Sequence, residues 1–216
     1  MAASGAMRKY KVVLLGDVGV GKSMLFETVK SLKEAGRREQ QSATPLKLGY
    51  GTSTEISYRV YVGDVGVLFS LWDTGGVERF RTITRNYYSG TKAFIYVYNT
   101  YNRASLDGLL TFITEGNSES SDALRVLVGN TNGSPDPEAR LADEQVVNSF
   151  ARQQGFLSTL RFRLSVTSKD DVLKLFQTIA EHLIEGYSNP PDANNTVTLG
   201  PGPGPGPLDP GCCLCG

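Results

Sequence analysis

The chain has 216 residues, and its 22 basic side chains balance 22 acidic ones, so no net field draws it towards nucleic acid or anionic lipid. A hydrophobic content of 40% excludes a wholly disordered chain. No apolar run reaches the roughly 18 residues of a membrane-spanning helix, and neither a signal-type apolar stretch nor a myristoylation glycine (Ala2 follows Met1) marks the start, which reads as a soluble, cytoplasmic-side protein.

In chain order, residues 1–7 read as a flexible start, and β-rich runs then alternate with amphipathic ones. The first strand covers Lys11–Leu15 and a helix covers Lys22–Lys33. Between them Gly16-Asp17-Val18-Gly19-Val20-Gly21-Lys22-Ser23 matches the phosphate-loop pattern G-x-x-x-x-G-K-[ST]. Its glycines let backbone N–H groups turn inward around phosphate oxygens, and the helix N-terminus adds partial positive charge. Lys22 reaches the terminal phosphates and the Ser23 hydroxyl suits Mg²⁺. The plain alternative is a glycine-rich turn that binds nothing.

Strands follow at Glu55–Val62 and Val65–Trp72, joined at Gly63-Asp64 as an antiparallel hairpin on the sheet edge. Asp73-Thr74-Gly75-Gly76 closes the second of them, where a phosphate-loop protein puts its metal-organising aspartate, and the Gly76 amide is placed to meet a γ-phosphate. Further strands are expected at Ala93–Tyr98, Leu124–Val128 and Leu160–Ser165. Helices are expected at Asn102–Thr114, Leu141–Gln154 and Asp170–Glu185, the last with Val172, Leu175, Phe176, Ile179, Leu183 and Ile184 as one apolar stripe. Strand–helix alternation implies βαβ units in a mainly parallel sheet covered on both faces.

After Tyr187 the composition changes. No Lys or Arg follows Lys174, and ten of the twelve residues Gly200–Gly211 are Gly or Pro, as in a disordered tether. All three cysteines, Cys212, Cys213 and Cys215, fall in the last five residues, which rules out a disulfide framework. The Asn-x-Ser/Thr triplets at Asn132 and Asn194 read as chance matches.

Trp72-Asp73-Thr74-Gly75-Gly76-Val77-Glu78-Arg79-Phe80-Arg81-Thr82-Ile83-Thr84, followed by Tyr87-Tyr88-Ser89-Gly90, resembles the second switch of Rab-type small GTPases of the Ras superfamily. Ala93–Asn99 resembles the strand after it, and the Cys-rich end resembles the family's prenylated C-terminus. The similarity covers about residues 8–186 and implies a Ras-like P-loop fold with a six-stranded, mostly parallel sheet flanked by helices, followed by a tail over 187–216. It also implies a monomeric GTP/GDP switch with Mg²⁺ on the cytoplasmic face of an intracellular membrane in vesicle traffic. Its partners would be effectors, an exchange factor and prenyl-transfer machinery.

Several positions depart from that family. Guanine is normally read by Asn-Lys-x-Asp; here the stretch is Asn130-Thr131-Asn132-Gly133, which keeps the Asn and loses both the Lys and the Asp. Losing a charged acceptor costs a few kcal/mol and much of the discrimination against adenine. The supporting Ser-Ala-Lys reads Ser165-Val166-Thr167, and Glu34 stands where an aromatic normally stacks on the base, although Tyr50 is another candidate for that task. The water-orienting Gln is Val77, and Val18 crowds the phosphate loop, so hydrolysis is expected to be slow and no catalytic residue is assigned. In the first switch Lys47 takes the place of the Mg²⁺-ligating Thr; Thr44 is the nearest substitute, or an ordinary turn residue, with Leu48 and Gly49 beside it on the effector side.

Cys213 is fourth from the end, as a C-a-a-X signal requires, but the ending also resembles doubly geranylgeranylated Rab termini. With no basic patch, stable anchoring needs two lipids. His182 reads as a surface residue. Trp72, Phe80, Tyr87 and Tyr88 read either as packing or as an effector surface. A pseudo-GTPase, an anchored interaction module with little nucleotide binding, is the competing interpretation.

Overall fold

The computed structural model describes residues 7–39, 54–74, 87–131 and 143–186, without the side chains of 35–39. Its strands are β1 (Met7–Leu15), β2 (Glu55–Val62), β3 (Val65–Asp73), β4 (Ala93–Asn99), β5 (Leu124–Asn130) and β6 (Arg161–Leu164). They form one sheet in the order β2-β3-β1-β4-β5-β6, parallel throughout except for the β2–β3 hairpin. The helices are α1 (Lys22–Glu39), α2 (Arg103–Asp107), α3 (Leu109–Glu119), α4 (Glu144–Gln153) and α5 (Lys169–Glu185).

Burial on both faces explains why the central strands read as continuous apolar runs. On β1, Val12 and Leu14 enter the core beneath α1 and α5, whereas Val13 and Leu15 enter the core beneath α2, α3 and α4. Edge strand β2 covers one face alone: Ile56, Tyr58 and Val60 are buried while Glu55, Ser57, Arg59 and Tyr61 are exposed. Its turn closes at Gly63, with φ at 55° and Val62 paired to Val65.

Several expected boundaries shift, among them the end of α1, which lies at Glu39 rather than Lys33. Strand β1 begins at Met7 rather than Lys11, because its pairing with β3 starts at Met7–Gly66 and carries the polar Arg8 and Lys9 along. One helix expected over Asn102–Thr114 is two, α2 and α3, meeting at Gly108 and reaching Glu119. The Asn102 side chain caps α2 by accepting from the Ala104 N–H. Helix α4 starts at Glu144, where the Asp143 side chain accepts from the Gln145 N–H; residues 141 and 142 lie outside the described residues.

Helix α5 is capped by Ser168 at its start and by Gly186, with φ at 73°, at its end. The half-buried His182 ties it to the 3₁₀ turn Ser158–Leu160, its two ring nitrogens lying 2.9 Å from the Thr178 carbonyl and the Thr159 hydroxyl. The carboxyl ends of β1, β3, β4 and β5 gather at one edge, where α/β sheets place ligands.

Candidate functional site

The loop from Gly16 to Gly21 joins β1 to α1 at that edge. A Cβ on Gly16 would lie 2.2 Å from the Val97 carbonyl oxygen of β4, and one on Gly21 would lie 2.3 Å from Asn130 Nδ2. Both glycines also adopt positive φ, 141° and 107°, as does Gly19 at 81°. These reversals turn successive amides into a concave nest.

Lys22 is buried, and its Nζ donates to the carbonyls of Gly16 at 2.6 Å and Asp17 at 2.8 Å. The ammonium is thus held over the loop, against the usual solvent preference of lysine. Ser23 is exposed in the first turn of α1, Val20 is buried in the core, and Val18 stands 55% exposed at the loop tip. Nested amides, a helix N-terminus and a seated ammonium fit an oligophosphate.

Asp73 ends β3 opposite Leu14 and is buried, and the adjacent Thr74 hydroxyl donates to the Leu14 carbonyl at 3.0 Å. The aspartate is thereby locked beside the start of the phosphate loop. The Asp73 carboxylate and the Ser23 hydroxyl are hard oxygen donors of the kind Mg²⁺ takes together with phosphate oxygens and water.

At the end of β5, Asn130 is fully buried. Its Nδ2 donates to the Val20 carbonyl at 2.9 Å, and its Oδ1 accepts from the Val166 N–H at 3.4 Å. The side chain is therefore a strut between the phosphate loop and the segment after β6, a task the residue pattern did not reveal. Thr131 donates its N–H to the Leu164 carbonyl, the Ser165 and Thr167 hydroxyls lie 2.8 Å apart, and Val166 is buried. A further strut that the motifs missed is Thr28 on α1, whose hydroxyl donates to the Val166 carbonyl at 2.8 Å. Asn130, Thr131, Ser165 and Val166 thus lie together.

At the carboxyl end of β3, Trp72 is half-buried and meets the half-buried Tyr87 edge to face, with centroids 5.7 Å apart. The Lys11 ammonium lies 5.1 Å from the Trp72 ring centre and donates to the Ser89 carbonyl. Burial lowers the Lys11 pKa, opposed by the Glu55 charge. The Trp72 indole N–H donates to the Ser70 hydroxyl, which donates to the Glu55 carboxylate.

Tyr88 corrects the effector-surface assignment. It is 1% exposed, packs against Phe94, and donates its hydroxyl to Glu115 at 2.9 Å. A side chain enclosed in this way belongs to the core. Gly76, Val77, Thr44, Leu48, Gly49, Phe80, Cys212, Cys213 and Cys215 lie outside the described residues.

A model of the Ras family matches residues 11–185. The chain is 30% identical to Ras-related protein SEC4 of Saccharomyces cerevisiae, over 92% of this chain and 86% of that protein. It is 33% identical to GTP-binding protein yptV2 of Volvox carteri, over 74% of this chain and 67% of that protein. To Ras-related protein Rab-1 of Theileria annulata it is 28% identical, over 88% of this chain and 81% of that protein.

Proposed function

The chain belongs to the Ras family, as a Rab-type small GTPase, and on that premise we propose that it is a slowly hydrolysing, membrane-anchored GTP switch in vesicle traffic. The observation that supports this reading best is the seating of Lys22 over a phosphate loop whose three glycines adopt positive φ. Gly16, Asp17, Gly19, Val20, Gly21, Lys22 and Ser23 would hold the phosphates, joined by Gly76 in the bound state. Bound Mg²⁺ would supply charge neutralisation to the phosphates. Ser23 would ligate it, Asp73 would act through a water, and Thr44 would complete the set from the first switch.

The purine side is held more weakly. Asn130, Thr131, Ser165 and Val166 would contact the base, while Gly133 offers no carboxylate to guanine. Val77 has no polar group with which to orient the attacking water, and Val18 would crowd the transition state, so turnover is slow. Leu48, Gly49, Trp72, Phe80 and Tyr87 would be the residues that effectors read. Two lipids among Cys212, Cys213 and Cys215 hold the chain on the cytoplasmic face of an intracellular membrane, since one lipid gives only marginal binding.

The test is the nucleotide content of the purified chain, released by denaturation and separated chromatographically. Stoichiometric GDP or GTP supports the switch. A folded but empty protein that takes up neither nucleotide with Mg²⁺ overturns it in favour of an anchored interaction module.

A further inference from the structure

We propose that Gly108, at the junction of α2 and α3, is a positioning residue for the phosphate loop, acting through the Asp17 carboxylate; the inference rests on the nucleotide-binding reading above. The local backbone does not call for glycine here. Its φ of −61° and ψ of −21° are ordinary helical values that alanine adopts without strain. By helix propensity alone, alanine at this position stabilises the chain.

The space above the Cα gives the opposite answer. A Cβ on Gly108 would lie 2.6 Å from Asp17 Oδ2 and 3.3 Å from Asp17 Cγ. Turning the carboxylate moves Oδ2 away but leaves Cγ at 3.3 Å, so the side chain must also give by a few tenths of an ångström, through a swing about Cα–Cβ or a shift of the loop. The loop has little room on its other flank, where Gly16 packs against the Val97 carbonyl so closely that a Cβ there would lie 2.2 Å away. The Asp17 carbonyl also accepts from Lys22 at 2.8 Å, so a shift of Asp17 moves an anchor of the ammonium that faces the phosphates. A swing of the carboxylate alone carries its negative charge from its seat against α2–α3 towards solvent or the anionic ligand. The loop shift weakens the hold on nucleotide by misplacing a donor, and the swing does so by repulsion where it turns the charge to the ligand rather than to solvent.

A double-mutant cycle on the full-length chain tests this, reading dissociation of fluorescent GDP and the melting temperature for wild type, Gly108→Ala, Asp17→Ala and the double variant. Gly108→Ala is expected to speed GDP release by about tenfold, the equivalent of about 1.4 kcal/mol, while the same substitution beside Asp17→Ala changes release by less than about twofold. Equal effects in both backgrounds, or none in either, overturn the proposal, because a purely helical role of Gly108 does not depend on Asp17. If Gly108→Ala alone does not fold, recovery of folding in the double variant supports the proposal, and failure of both variants overturns it. A wild-type chain that retains no GDP defeats the nucleotide reading and this proposal together, whereas a binding wild type with an uncoupled Gly108 defeats this proposal alone.

Discussion

Asn130 Nδ2 donates to the Val20 carbonyl at 2.9 Å, joining the end of β5 to a loop 110 residues earlier in the chain. Replacement by alanine leaves that carbonyl and the Val166 N–H without their partner in a fully buried place. Asn130→Ala should therefore cost about 2–3 kcal/mol in urea unfolding and speed nucleotide release. A change under about 0.5 kcal/mol would show that the strut is dispensable.

Val77 is the second test of the switch reading. Val77→Gln restores a polar group able to orient water, and single-turnover GTP hydrolysis should rise about tenfold or more, with Val18→Gly adding to it. Rates unchanged in both variants would place the block elsewhere.

Alkaline pH probes the core beneath α2, α3 and α4. Burial pushes the Tyr98 pKa up to about 12 from 10.0. Because the folded value lies above the unfolded one, the stabilisation is complete below pH 10 and is lost as pH rises from 10 through 12. One such tyrosine contributes a slope of about 1.4 kcal/mol per pH unit. Tyr98→Phe should flatten the fall in urea midpoint across this window, leaving the parts due to Tyr58 and Tyr96, both also raised by burial, Tyr96 against the opposing charge of Arg125.

Tyr88→Phe removes the hydroxyl that reaches Glu115 and keeps the ring against Phe94. The cost should be about 1 kcal/mol in thermal or urea unfolding, since the freed carboxylate can turn to water. No measurable change would mean that the hydrogen bond contributes nothing net.

For the tail, replacing Cys213 and Cys215 together with serine should move the protein from the membrane pellet to the soluble fraction on cell fractionation. Replacing a single lipid-bearing cysteine should already release most of it, because the one remaining lipid gives only marginal binding. An unchanged distribution in the double variant would point to another anchor.

Some elements were legible because their information is local. The phosphate loop is eight consecutive residues, Gly16 to Ser23, and its geometry follows from glycine's access to positive φ. The β2–β3 hairpin could be read because an edge strand alternates wet and buried positions, and α5 because its stripe repeats at the helical period. Less legible was Gly108, which splits a periodic pattern into two helices although its own backbone angles are helical. Apolar patterning likewise could not extend β1 to Met7, where pairing with β3 rather than side-chain burial sets the boundary.

Residue order thus supplied the phosphate-loop pattern, the strand–helix alternation and the altered positions Val18, Val77 and Gly133. Packing assigned the tasks that depend on distant partners: Asn130 as a strut, Tyr88 as core, and the carboxylate of Asp17 set against Gly108. The division has a physical cause. A motif is written in neighbouring residues and their dihedral preferences, whereas these contacts exist only after strand order brings the ends of β1, β4 and β5 side by side.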